Sequence, residues 1–230
     1  MSPGDAEIAA RWASSAATYR GPKHSVNEDS HCAIDALGLF AVADGVGGHA
    51  DGEVASRAIV EAVAHVGEGG GVLAERLDVV EEALHAVNAA LWQESCRRGG
   101  TDIIASTVVL AIVDERQVVC LWAGDSRVYL HRGGAFYQLT RDHSAPPRGA
   151  LTRAVGAHEE IEIDRIVIAA ELGDTLLLCS DGVTKVLDDV ELASFLEDPL
   201  DGLAMRVIAA VVDRGGDDDS TVVIARLLGD

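Results

Sequence analysis

The chain has 230 residues, of which 48% are hydrophobic, and 38 acidic side chains against 18 basic ones give a formal charge of −20. That length holds one large domain with a substantial core, residues 1–230 with a core over about 13–227, and the composition excludes a disordered chain. The acidic excess argues against nucleic acid and anionic membrane as partners, because phosphate-rich surfaces bind basic faces.

Residues 1–10 carry Asp5 and Glu7 and no apolar signal core. The longest apolar stretch, 103–113, is too short to span a bilayer and is interrupted by Ser106 and Thr107. Cys32, Cys96, Cys120 and Cys179 are far apart and show no zinc spacing, which predicts reduced, mostly buried thiols. The expectation is a soluble, cytoplasmic protein.

In chain order, residues 12–19 predict a first strand. The polar loop from Arg20 to Ser30 follows, holding Glu28 and Asp29 beside Arg20, Lys23 and His24. Strands at 31–35 and from Leu39 predict a hairpin that carries Glu28 and Asp29 towards Asp44. The apolar run Leu39-Phe40-Ala41-Val42-Ala43 stops at Asp44, and Gly45, Gly47 and Gly48 turn the chain before a helix. From Gly52 onward Ala55, Ile59, Ala62, Val63 and Val66 share one helical face. Leu73, Leu77, Val80, Leu84, Val87 and Leu91 recur at steps of four and three, so a second long helix lays this stripe on the core.

Residues 103–113, 117–123, 128–131 and 135–139 read as successive strands, and their short connections predict an antiparallel meander. Strands at 161–168 and 175–179 follow, then a helix soon after Gly182. Another helix spans about 200–212 with Leu203, Val207 and Val211 inward, and a last strand covers 222–227. Sheets inside and helices outside make an α+β fold.

Three apolar strand ends deliver an aspartate beside a glycine: Asp44, Asp125 and Asp181. Asp217-Asp218-Asp219 stands at the entrance of the last strand. One Asp-Gly is an ordinary turn. Several at strand ends gather carboxylates that repel one another and persist when cations neutralise them. The ligands are hard oxygens, which favours Mg²⁺ or Mn²⁺ over Zn²⁺. A calcium-binding structural protein is an alternative, but the chain lacks the repeats or loop spacing of such sites.

Taken in order, Asn27-Glu28-Asp29-Ser30, Asp44-Gly45-Val46-Gly47-Gly48-His49, Ala105-Ser106-Thr107, Gly124-Asp125-Ser126-Arg127, Asp142-His143-Ser144, Leu151-Thr152-Arg153-Ala154-Val155-Gly156, Ser180-Asp181-Gly182 and Asp218-Asp219-Ser220-Thr221 resemble the metal-dependent protein phosphatases of type 2C, especially the bacterial ones. The resemblance implies a four-layer αββα sandwich of two antiparallel sheets flanked by helices. It implies a protein serine/threonine phosphatase in which water held between two Mn²⁺ or Mg²⁺ ions attacks phosphorus as hydroxide. Asp44 then matches the bridging ligand, Asp181 and Asp218 the first ion, and the Gly45 carbonyl and Glu28 the second. Asp29 matches a supporting acid, and Asp125 with Asp181 a third, weaker cation position. His49 is a candidate general acid, with holding a water as its duller alternative.

The resemblance also implies a phosphorylated protein substrate, a cognate kinase and a monomer. Two departures stand out. His24 occupies the position of an arginine that grips substrate phosphate, so His24 is the expected phosphate contact, helped by Lys23 or Arg20. Only residues 145–150 separate Ser144 from Leu151, where the family inserts a flap, so the flap is expected to be absent. Asp219 also stands where asparagine is commoner. The alternative is a weak or silent metal-binding relative acting as a regulatory or sensor module.

Overall fold

The computed structural model describes residues 10–46, 50–67, 71–99, 103–145 and 150–229. The chain begins with β1 (Ala10–Tyr19), β2 (Asp29–Ile34) and β3 (Leu39–Val46), followed by helices α1 (Ala50–Gly67) and α2 (Leu73–Arg97). Next come β4 (Ala105–Ser106), β5 (Val108–Val113), β6 (Gln117–Ala123), β7 (Arg127–Arg132), β8 (Ala135–Gln138), β9 (Ser144–Ala145) and β10 (Ala150–Leu151). The last part holds β11 (Asp164–Ala169), β12 (Thr175–Cys179), α3 (Asp181–Thr184), α4 (Asp189–Phe195), α5 (Leu203–Asp213) and β13 (Ser220–Gly229).

Among the described residues two large antiparallel sheets form, one in the order β1-β13-β12-β7-β8 and the other in the order β11-β6-β5-β3-β2, and β9 pairs with β10 in a separate ribbon. The period-two alternation of the strands in the two large sheets builds four layers. On β3, Phe40 and Val42 turn to the space between the sheets, where they join Val109, Trp122, Leu176, Leu178 and Val223. Leu39, Ala41 and Ala43 turn the other way, onto Ile59, Val63, Val80 and Leu84 of α1 and α2. On β12, Leu177 and Cys179 likewise face Leu192, Val207 and Val211 of α4 and α5. Strands covered on both faces need apolar residues at every position, which is why β5 and β12 read as unbroken apolar runs. Each fully buried Val, Leu or Ile contributes about 1.5–3 kcal/mol, so all three apolar layers hold the fold together.

The meander expected over 103–139 is corrected. β5 pairs with β6 in one sheet and β7 with β8 in the other. The link between them, Gly124 to Ser126, is as short as a hairpin, but Gly124 at φ 123° turns the chain across the sandwich instead of back along its sheet. The single strand expected over 103–113 is broken at Thr107 into β4 and β5. The strand expected from 161 begins at Asp164, and the helix expected after Gly182 starts at Asp181. β3 runs two residues past Asp44. Cys120 and Cys179 are buried, but Cys32 is half-buried and Cys96 is exposed, which corrects the expectation of mostly buried thiols. Among the described residues no helix is long and apolar enough to cross a membrane.

Candidate active site

A cavity of about 420 Å³ opens where β3, β6 and β12 end and β13 begins. Its wall carries Glu28, Asp44, Asp125, Asp181, Asp218 and Asp219, two bases, His24 and Lys185, and Gly45 and Thr107. Cavities of about 500 and 550 Å³ elsewhere are larger but gather no comparable set of carboxylates, so chemistry rather than size marks the site.

Backbone register brings the acids together. Asp29 and Asp44 are direct cross-strand partners, and Gly45 N–H donates to the Glu28 carbonyl at 3.0 Å. Asp44 is fixed from its other side: its N–H donates to Thr107 Oγ1 at 3.1 Å, while its carbonyl accepts from Thr107 N–H at 2.8 Å and from Ser106 Oγ at 2.9 Å. A Cβ on Gly45 would collide with the backbone of Gly52, so glycine is what lets α1 start against the end of β3. Gly182 plays the same part elsewhere. A Cβ there would strike the Asp219 carbonyl, and its absence lets the start of α3, with Asp181, pack on the Asp219 backbone beside Asp218.

Asp29 does not line the cavity. It lies behind the wall, 7% exposed, with Oδ2 accepting from Ser180 Oγ at 2.7 Å and with Oδ1 buried and unpartnered among the described residues. Asp219 is 4% exposed and organises the 20–28 loop: its carboxylate accepts from Gly21 N–H at 2.8 Å and Glu28 N–H at 2.7 Å, and meets His24 Nδ1 at 2.9 Å. The departures at positions 24 and 219 are therefore two halves of one contact. That hydrogen bond raises the His24 pKa above its ordinary value. His24 Nε2 stays on the cavity side, 3.8 Å from Asp218 Oδ1. Lys23 pairs with Asp217, and Arg20 donates to the Ser25 carbonyl at 2.8 Å; neither lines the cavity. His49, with Gly47 and Gly48, lies outside the described residues.

Electrostatics show what the cluster lacks. Burial, and then the charges of Asp29, Asp181, Asp125 and Asp218, push the Asp44 carboxyl well up. Burial also raises Asp29, and burial followed by Asp181 raises Asp125 to about 6. Carboxyls that resist ionising together, one with an unpartnered buried oxygen, suit divalent cations with oxygen preference. The residues present fit Mn²⁺ or Mg²⁺. Among the described residues no three His, Cys, Asp or Glu side chains are drawn together as a finished cage. Lys185 Nζ lies 2.7 Å from both Asp181 Oδ2 and Asp218 Oδ2.

Sequence reasoning missed Lys185 and the structural parts of Thr107 and Asp219. It also missed Asn88, within the apolar stripe of α2, whose Nδ2 donates to the carbonyls of His158 and Glu159 at 3.1 and 3.0 Å and whose Oδ1 accepts from Gly156 N–H at 2.7 Å. A polar residue in a stripe was the available signal.

The family profile described as protein phosphatase 2C matches residues 20–213. The chain belongs to the protein phosphatase 2C family. Among its type 2C relatives, the serine/threonine protein phosphatase PstP of Mycobacterium tuberculosis is 34% identical over 227 residues, covering 90% of this chain and 43% of that protein. The chain thus spans less than half the length of the first curated relatives it matches. The serine/threonine phosphatase stp of Listeria monocytogenes is 31% identical, covering 90% of this chain and 92% of that protein. Among solved structures, PppA, described as a key regulatory component of T6SS in Pseudomonas aeruginosa, superposes with a TM-score of 0.91 at 34% identity, covering 96% of this chain and all of that one. The catalytic domain of PstP in complex with two manganese ions gives 0.85 at 31% identity, covering 96% of this chain and all of that one. The four-layer sandwich is the type 2C fold.

Proposed function

We propose that this chain is a metal-dependent protein serine/threonine phosphatase that hydrolyses phosphoserine and phosphothreonine. The observation that carries the reading is the convergence of Asp44, Asp125, Asp181 and Asp218, from separate strand ends, on one cavity. Asp44, Asp181, Asp218, Glu28 and the Gly45 carbonyl would hold two Mn²⁺ or Mg²⁺ ions, and Asp125 with Asp181 a weaker third. When bound, the ions supply a water that loses its proton near neutral pH and positive charge against the phosphate.

The chain's own residues set up that chemistry. Ser106 and Thr107 fix the Asp44 backbone, so its carboxylate need not reorganise as charge develops. Ser180, through Asp29, ties the Asp181 turn to the Asp44 hairpin. His24, held by Asp219, presents its second ring nitrogen to the cavity, where it would contact the substrate phosphate. His49 remains the candidate proton donor to the leaving oxygen. The reading extends to a cytoplasmic monomer working opposite a serine/threonine kinase, with a cleft left open by the absence of a flap between Ser144 and Leu151.

One observation favours a weak or silent metal-binding relative: Lys185 already engages two of the expected ligands. Turnover of a phosphothreonine peptide and of p-nitrophenyl phosphate, measured with Mn²⁺ and again after chelation, separates the two. The phosphatase reading expects activity that chelation abolishes and Mn²⁺ restores; no turnover in Mn²⁺ would favour the silent relative.

A further inference from the structure

Lys185 stands one helical turn beyond Asp181, so its side chain returns over the aspartate at the start of α3. Its ammonium contacts Asp181 Oδ2 and Asp218 Oδ2 at the same 2.7 Å. Lys185 also faces Asp125, whose ionised form it favours. Besides Lys185 the cavity wall carries one base, His24, while Lys23 and Arg20 stay outside it.

Asp181 and Asp218 are the pair to which the phosphatase reading gives the first metal ion, and the role of Lys185 rests on that reading. A small divalent ion binds carboxylate oxygens at about 2.0–2.2 Å. An ammonium that touches the same two oxygens stands inside the space such an ion needs. We propose that Lys185 is a built-in competitor for the divalent cation: its ammonium holds Asp181 and Asp218 together until an ion displaces it, and so sets the metal affinity of this site. The side chain suits that part. It is 54% exposed, so displacement returns the ammonium to water without a large desolvation change, and its flexible stem needs no backbone movement. Lysine thereby limits the repulsion that two facing carboxylates would otherwise carry in the metal-free protein.

The test uses the full chain, stripped with a chelator and titrated with Mn²⁺ by calorimetry, alongside thermal melting in chelator and in saturating Mn²⁺. Lys185→Met removes the competitor, and the expected result is tighter binding of one Mn²⁺ by roughly two- to fivefold, the range that partly exposed ion pairs support. The same variant melts lower than wild type in chelator and gains more from Mn²⁺. Lys185→Arg keeps a cation beside both acids and holds binding near the wild-type value, while Lys185→Gln serves in place of methionine if that variant aggregates. Unchanged or weaker Mn²⁺ binding in Lys185→Met and Lys185→Gln would overturn the proposal while leaving the metal site itself intact. Asp181→Asn guards the underlying reading: if it leaves wild-type Mn²⁺ binding unaltered, the ligand assignment fails and the competitor role fails with it.

Discussion

Replacing Asp44 with Asn should move stability and activity in opposite directions. Without metal, Asp44 is a liability, since burial and four neighbouring aspartates oppose its charge. Those effects raise its carboxyl well above the ordinary range, so folding without metal has to bear either the buried charge or the proton that removes it. An amide of the same shape needs no proton but keeps part of the desolvation cost, so about 2 kcal/mol of stabilisation is expected in chelator. In Mn²⁺ the sign reverses, because a bridging charge has been lost and the ions no longer repay the cluster. Urea unfolding at pH 7 with chelator and with Mn²⁺, paired with phosphopeptide turnover, reads both effects. A variant that is less stable than wild type in chelator, or that keeps wild-type turnover in Mn²⁺, would rule out Asp44 as a buried metal-bridging carboxylate.

The pH dependence follows from the same acids. Asp125 titrates at about 6 in the folded chain against an ordinary 3.8, and Asp44 and Asp29 are raised too. A carboxyl raised by folding binds excess protons, so its contribution is complete below 3.8 and is lost as pH rises through about 6. The melting-temperature gap between Mn²⁺-loaded and chelated protein should therefore widen from about pH 4 to about pH 7, and a constant gap would contradict this. For the phosphate contact, His24→Ala should raise KM for a phosphopeptide and His24→Arg should lower it; KM unchanged in both would assign the contact to another base. A cleft without a flap should accept phosphopeptides with little regard to flanking sequence, and strong discrimination across a peptide panel would count against it.

Much of the site was legible because the chemistry sits at strand ends, where an apolar run meets Asp and Gly. The hairpin expected to carry Glu28 and Asp29 to Asp44 forms with Asp29 opposite Asp44. The point where the chain crosses from one sheet to the other was not legible, because β6 and β7 are buried on both faces and lack the alternation that tells one side from the other. Placing a helix after Gly182 hid Lys185; with the helix beginning at Asp181, the four-residue spacing puts both side chains on one face. The His24 and Asp219 contact joins residues 195 apart, and nothing in either local segment announces it. Asp219 instead read as one more member of an acidic cluster.

Anomalous diffraction from crystals grown in Mn²⁺ locates each ion without reference to activity. Two strong manganese peaks are expected in the cavity, both in contact with Asp44, with Asp181 and Asp218 on one ion and Lys185 moved off that pair. Manganese absent from Asp44, or bound with Lys185 still in contact with both Asp181 and Asp218, would contradict that arrangement.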